Sequence, residues 1–110
     1  MKTVSIANDF SVFPGGRIPA DGPFSGEEFR DNILIPLLKN NEEAIIDFDN
    51  VRGYGSSFLE ESFGGLLRKG YGRDTILRLL HFKSKKHSVI EEVERYIDNA
   101  ALENNHTKIA

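Results

Sequence analysis

Two aspartates, two serines and a histidine are the residues of this chain whose types could do chemistry. Asp47 and Asp49 stand two apart, the spacing that sets both carboxylates on one side of an extended strand. Such a pair can act as acid and base or help hold a metal. The calcium-loop pattern D-x-[DN]-x-[DN]-G is not met, because Val51 and Arg52 occupy its fifth and sixth places. Aspartate is also a habitual turn residue, and the favoured reading is structural: Asp47 accepts backbone N–H groups of the following turn, and Asp49 starts that turn. Ser56, His81 and Asp47 could be assembled on paper into a nucleophilic triad. A nucleophile elbow needs G-x-S-x-G, however, and Gly55-Ser56-Ser57-Phe58-Leu59 does not supply it. His81, His87 and His106 share no metal-ligand spacing, and the absence of cysteine removes thiolate chemistry and Cys-based zinc sites. A chain without catalysis, metal or cofactor is the expectation.

Anion binding is the other chemistry to weigh. Gly53-Tyr-Gly-Ser-Ser-Phe58 breaks the dinucleotide fingerprint at its third glycine, and Gly15-Gly16-Arg17 matches no phosphate-loop pattern. Residues 13–23, rich in glycine and proline, read as a connecting loop. Ser57 with Glu60 fits a capping box, in which the serine oxygen takes an orphan backbone N–H and the glutamate reaches back. A phosphate on Ser57 would meet the same free N–H groups at a helix N-terminus, with Arg52 or Arg73 at hand should the turns meet. Against it, Glu60 and Glu61 would stand within one helical turn of the added charge.

The elements that must position these residues follow from periodicity. Residues 44–48 are a short apolar run that reads as a central strand covered on both faces. After the glycine-bearing turn 50–55, Phe58, Leu59, Phe63, Leu66 and Leu67 form a helical stripe, with Gly70 as the C-cap. Gly64-Gly65 inside that helix costs roughly 1 kcal/mol per glycine relative to alanine, which calls for compensation by close packing or by a docked partner. Upstream, residues 3–7 read as a first strand, and 10–13 continue it or start a hairpin partner. Ser25 and Glu28 form a capping box opening a helix to about residue 39. Phe29, Ile33, Leu37 and Leu38 share its inner face, with Leu34 beside them, and Pro36 kinks it or ends it near Ile35. Downstream, 75–82 reads as a strand, 83–86 as a basic loop, and 88–102 as a last helix capped by Ser88 and Glu91. Val89, Ile90, Val93, Ile97 and Ala100 line its apolar face, and residues 103–110 read as a frayed tail. Successive strand–helix–strand units favour parallel pairing with right-handed crossovers. In an open sheet of that kind the strand-to-helix turn at the carboxyl edge is the place for a site.

The run from Ile45 to Leu67 resembles the core of the STAS domain, the fold of bacterial anti-sigma factor antagonists. It is more closely similar to the STAS-like family of unknown function, DUF4325. The matching elements are Ser25-Gly26-Glu27 with Phe29-Arg30, then Asp47-Phe48, then Gly55-Ser-Ser-Phe-Leu-Glu-Glu-Ser-Phe-Gly-Gly-Leu-Leu-Arg68. The resemblance covers about residues 25–82. It implies an α/β, STAS-like single domain with a mixed, mostly parallel sheet of about four strands flanked by three helices. It also implies a regulatory module controlled by phosphorylation, with Ser57 as acceptor and Ser56 its neighbour. The partner would be a histidine-kinase-like ATPase or a regulator. Gly55 stands where the STAS pattern has Asp, and Phe58 where it has Gly. The contact surface is expected at the turn and helix start from Arg52 to Phe63, with Asp47, Asp49, Arg52, Tyr54, Gly55 and Phe58 as the candidate partner- or ligand-binding residues. A domain binding a small anionic ligand or nucleotide at the same turn is the alternative.

Composition agrees with such a module. The 110 residues suit one domain with one core. A net charge of −3, spread in both signs, argues against a nucleic-acid binder. No apolar run approaches the ~20 residues needed to cross a bilayer, and the first residues lack the layout of a signal peptide. A cytoplasmic protein is expected.

Overall fold

The computed structural model describes residues 1–109, with side chains through Asn104. Three strands, β1 (Lys2–Ser5), β2 (Ala44–Asp47) and β3 (Leu80–Lys83), form a sheet in that order, and both pairings are parallel. The sheet is therefore smaller and more regular than the mixed, four-stranded one expected. The missing strand is the one sought at 10–13. After Ser5 the chain instead turns into a one-turn helix, α1 (Ile6–Asp9). The Ser5 hydroxyl accepts the Asn8 N–H at 3.1 Å and the Asp9 carboxylate accepts the Ser5 N–H at 2.8 Å, closing that turn against strand continuation.

β2 is central, as its apolar run implies. Its coverage is unequal: Ala44, Ile46 and Phe48 are buried, whereas Ile45 and Asp47 are only half-buried. The expectation of two closed faces thus holds for one face.

Two long helices follow β1 and β2, and both contain a π turn. α2 (residues 26–39) runs through Gly26–Phe29, the π turn Arg30–Leu34 and Ile35–Lys39. Its Ser25/Glu28 capping box forms as expected. The helix neither ends at Ile35 nor breaks at Pro36, since the π turn comes just before the proline and Pro36 enters the next stretch in its first turn. The wider turn also shifts the buried face, so Leu34 is fully buried and Ile33 only half. α3 (residues 56–68) repeats the plan through Ser56–Leu59, the π turn Glu60–Gly64 and Gly65–Arg68.

α4 (Arg73–Leu79) occupies most of the stretch read as a strand. Ile76 and Leu79 are its buried residues, at i and i+3, and Leu80 just after it is buried at i+4, which continues the helical spacing. The strand takes only the last three residues of that stretch and runs on to Lys83. α5 (His87–Ile109) starts one residue before Ser88, so the expected Ser88 cap lies inside the first turn. The helix also continues through 103–109, where a frayed tail was expected. Val93, Ile97 and Ala100 are buried in the common core, while Val89 and Ile90 are half-buried. Among the described residues five helices and a short 3-10 turn (Pro19–Asp21) accompany the sheet, against the three helices expected.

Rings organise the interior. Phe29 touches Phe10, Phe58 and Phe63, and Phe63, Phe48 and Phe82 touch one another, with centroids 5.1–6.3 Å apart. These offset and edge-on contacts add to area burial.

Candidate functional site

The turn after β2 leaves the sheet at its carboxyl edge, and its aspartates are used by the backbone. The Asp47 carboxylate accepts the Asp49 N–H at 2.9 Å, and Asp49 accepts the Lys85 N–H at 2.9 Å, tying this turn to the loop after β3. Lys83, the cross-strand neighbour of Asp47, stands 3.7 Å from its second oxygen. Among the described residues no cluster of His, Asp and Glu is arranged to hold a metal. His81 is not turned toward Asp47. Its Nε2 lies 3.1 Å from Glu43, just before β2, so the triad conceivable on paper is not formed. The side chain of His106 lies outside the described residues.

Tyr54 locks the turn from within. Its hydroxyl donates to the Phe48 carbonyl at 2.7 Å, and its ring packs on Phe48 and Phe58. Burial, reinforced by Asp47 and Asp49, pushes its pKa above the usual tyrosine value. Phe58, expected at the contact surface, is fully buried. Its place in the motif is a core place.

The serine pair sits differently from the expectation. Gly55 is the N-cap of α3, Ser56 and Ser57 are its first two residues, and no side chain caps it. The Ser57–Glu60 capping box does not form. Both serines are exposed, and Glu60 turns away to two arginines. Arg68 Nη1 is 2.8 Å from Glu60 Oε2, and Arg17 Nη1 is 2.6 Å from Glu60 Oε1. Arg17 also reaches Glu61 at 3.1 Å, while buried Arg30 bonds Glu61 across the helices and its own neighbour Asp31 at 2.8 Å. The Arg68 hydrogen bond chiefly holds Glu60 below the usual glutamate range, against the opposing effect of burial and with help from Arg17. Burial works against the Arg30 charge, yet Asp31 and Glu61 outweigh it and hold its pKa high. The two glutamates beside the serines are therefore neutralised, and the repulsion foreseen for a phosphate on Ser57 is largely cancelled. Arg73 takes no part, being paired with Asp98 on α5 at 2.6 Å.

Glycines make this network possible. Gly64 lies between Glu60 and Arg68 on an i, i+4, i+8 stripe, and a Cβ there would strike the Glu60 carboxylate. At Gly65 a Cβ would come within 2.8 Å of Arg30 Nη1. Both glycines are buried, so packing rather than an outer docking surface accounts for them. Gly26 lets α2 cross α3 closely, because its Cβ would sit 2.7 Å from the Phe58 carbonyl oxygen. Sequence reading missed this network. Its signal was the stripe of Glu60, Gly64 and Arg68, with Arg30 supplied from the other helix.

The loop 10–25 covers one side of the site. The Gly16 and Arg17 carbonyls accept the Gly26 and Glu27 N–H groups at 2.9 Å each. The donors of α2 that a phosphate would need are thus already bonded, and Gly15-Gly16-Arg17 is a strap rather than a cradle. Farther along, the Val12 carbonyl accepts the Arg52 N–H at 2.9 Å, and the Arg52 guanidinium rests 5.2 Å from the Phe13 ring centre. The outer side of the turn, with the loop after β3, encloses a cleft of about 420 Å³ lined by residues that include Arg52, Tyr54, Lys85, Lys86 and Glu92.

These features define a small parallel α/β domain with an exposed serine turn beside a charge network in which Arg30 is buried. The model of the STAS-like domain of unknown function (DUF4325) matches residues 25–89. The chain belongs to that family. The match takes in β2, β3, the serine turn and every charged residue of the network except Arg17. Comparison with curated proteins and with solved structures finds no match. Among the described residues no helix is long and apolar enough to cross a membrane.

Proposed function

We propose that this protein is a non-catalytic regulatory module that binds a protein partner through the turn and helix start at residues 52–57, with Ser57 and Ser56 as phosphoacceptors that switch the contact. The carrying observation is the exposed, side-chain-uncapped start of α3, whose neighbouring glutamates are already held by Arg17, Arg30 and Arg68. A phosphate there would join the positive end of a helix whose two following glutamates are already ion-paired. By family resemblance the partner is a histidine-kinase-like ATPase or a regulator. Phosphosite mapping of the protein from its native cell, combined with crosslinking of the captured partner, tests the reading. Phosphate on Ser57 or Ser56 and crosslinks to residues 52–57 are expected. A partner crosslinked only to the opposite end of the sheet would overturn it.

A further inference from the structure

The rim of the cleft beside the serine turn carries charge that the fold does not use. Arg52, Lys85 and Lys86 are exposed, and among the described residues none has a carboxylate at ion-pair distance. The acids nearby are committed: Asp49 accepts the Lys85 N–H, Asp47 the Asp49 N–H, and Glu92 the Tyr96 hydroxyl at 2.6 Å. Two carboxylates, Asp49 and Glu92, line the same opening as these three cations, so in a chain of net charge −3 the rim is locally positive by one charge. Next to them is an apolar shelf. Phe13 is 63% exposed and Val12 39%, and the Phe13 ring lies directly under the Arg52 guanidinium.

We propose that this rim and shelf receive an acidic segment of the protein partner, its carboxylates on Arg52, Lys85 and Lys86 and an apolar side chain on Phe13 and Val12. This rests on the interaction-module reading above and specifies the chemistry of the partner. Lys and Arg side chains can hold a phosphate as well as a carboxylate, and free backbone N–H groups strengthen a phosphate site. Here the Asp49, Arg52, Lys85 and Lys86 N–H groups are all bonded within the protein, the last to Ser84 Oγ at 3.0 Å. A small anion would also leave the Phe13 shelf uncovered. Side-chain cations over an aromatic surface instead suit a peptide carrying both charge and an apolar anchor.

The test uses the full chain, ¹⁵N-labelled, and a synthetic peptide of alternating glutamates with one central phenylalanine. Expected are amide shifts at Val12, Phe13, Arg52, Lys85 and Lys86, weakened by salt. Lys85→Glu with Lys86→Glu should weaken binding by about tenfold or more. The glutamine version of the peptide should shift nothing. Absence of these shifts, shifts confined to another face, or equal shifts with inorganic pyrophosphate would overturn the proposal. The same double variant is then used in partner capture. A partner that still crosslinks to residues 52–57 and is held unchanged by the variant defeats the acidic-segment proposal while leaving the module reading intact. Peptide binding at the rim with a native partner crosslinked elsewhere defeats the module reading, and with it the partner assignment.

Discussion

Arg30 on α2 and Glu61 on α3, 31 residues apart in sequence, are joined by a hydrogen-bonded ion pair in which the arginine side chain is only 5% exposed. The pair lies where Gly26 and Ser62 bring the two helices together, with the Ser62 hydroxyl 3.4 Å from the Gly26 carbonyl. Removing one partner of a buried pair strands the other charge, at about 3–5 kcal/mol. Asp31 remains beside Arg30, so Glu61→Gln should cost about 3 kcal/mol, the low end of that range. Urea unfolding of both variants checks this: Arg30→Met with Glu61→Leu should be less destabilised than Glu61→Gln alone.

The glycines of the motif should rank by what stands over them. Gly26→Ala meets a backbone carbonyl and should cost about 1–3 kcal/mol through overpacking. Gly65→Ala meets buried Arg30 and should cost less than that. Gly64→Ala meets the ends of Glu60 and Arg68, which can move, and gains roughly 1 kcal/mol of helix propensity. It should be close to neutral. Melting temperatures in the order Gly26→Ala lowest, Gly65→Ala intermediate and Gly64→Ala highest would confirm the ranking.

Acid should unfold the protein partly through Glu60. Its folded pKa is lowered, so the stabilisation is fully present above the ordinary value of 4.5 and is lost as pH falls through the lower folded value. Denaturant midpoints measured from neutral pH downward should drop below that point in the native chain. Glu60→Gln should show a flatter profile.

Alkali should act through Tyr54. Its folded pKa is raised, so the corresponding stability is complete below the ordinary value of 10.0 and declines as pH rises above it. In an ultraviolet titration, the Tyr54 phenol should ionise only together with unfolding. Tyr54→Phe should remove that coupling and cost about 1 kcal/mol for the lost bond to the Phe48 carbonyl.

Much of the site was legible because local signals and packing agree there. The central strand, the turn around Asp47 and Asp49, the Ser25 cap and the apolar stripe of α3 all follow from residue type and spacing. Two serine caps failed for a shared reason: at Ser57 and Ser88 the S-x-x-E pattern was present but the helix starts one or more residues earlier. α4 was hidden because Thr75 and Ile76 favour strands, and only the burial of Ile76, Leu79 and Leu80 reveals the helix. The ion network was hidden because its members come from three segments that periodicity treats separately.

The π turns make each long helix two half-helices out of phase. In α2, Phe29 precedes the widened turn and Leu34, Leu37 and Leu38 follow it, all buried, though one uniform wheel would place Ile33 where Leu34 lies. A relative that lacks one residue within 30–34 would therefore keep its helix and regain ordinary winding. Such a loss would bring Leu34, Leu37 and Leu38 to i+4, i+7 and i+8 from Phe29, the spacing of one face of an ordinary helix, so the inner face would stay where it is. A one-residue difference in length at that point can thus be absorbed by the π turn, with no change in the hydrophobic pattern after it.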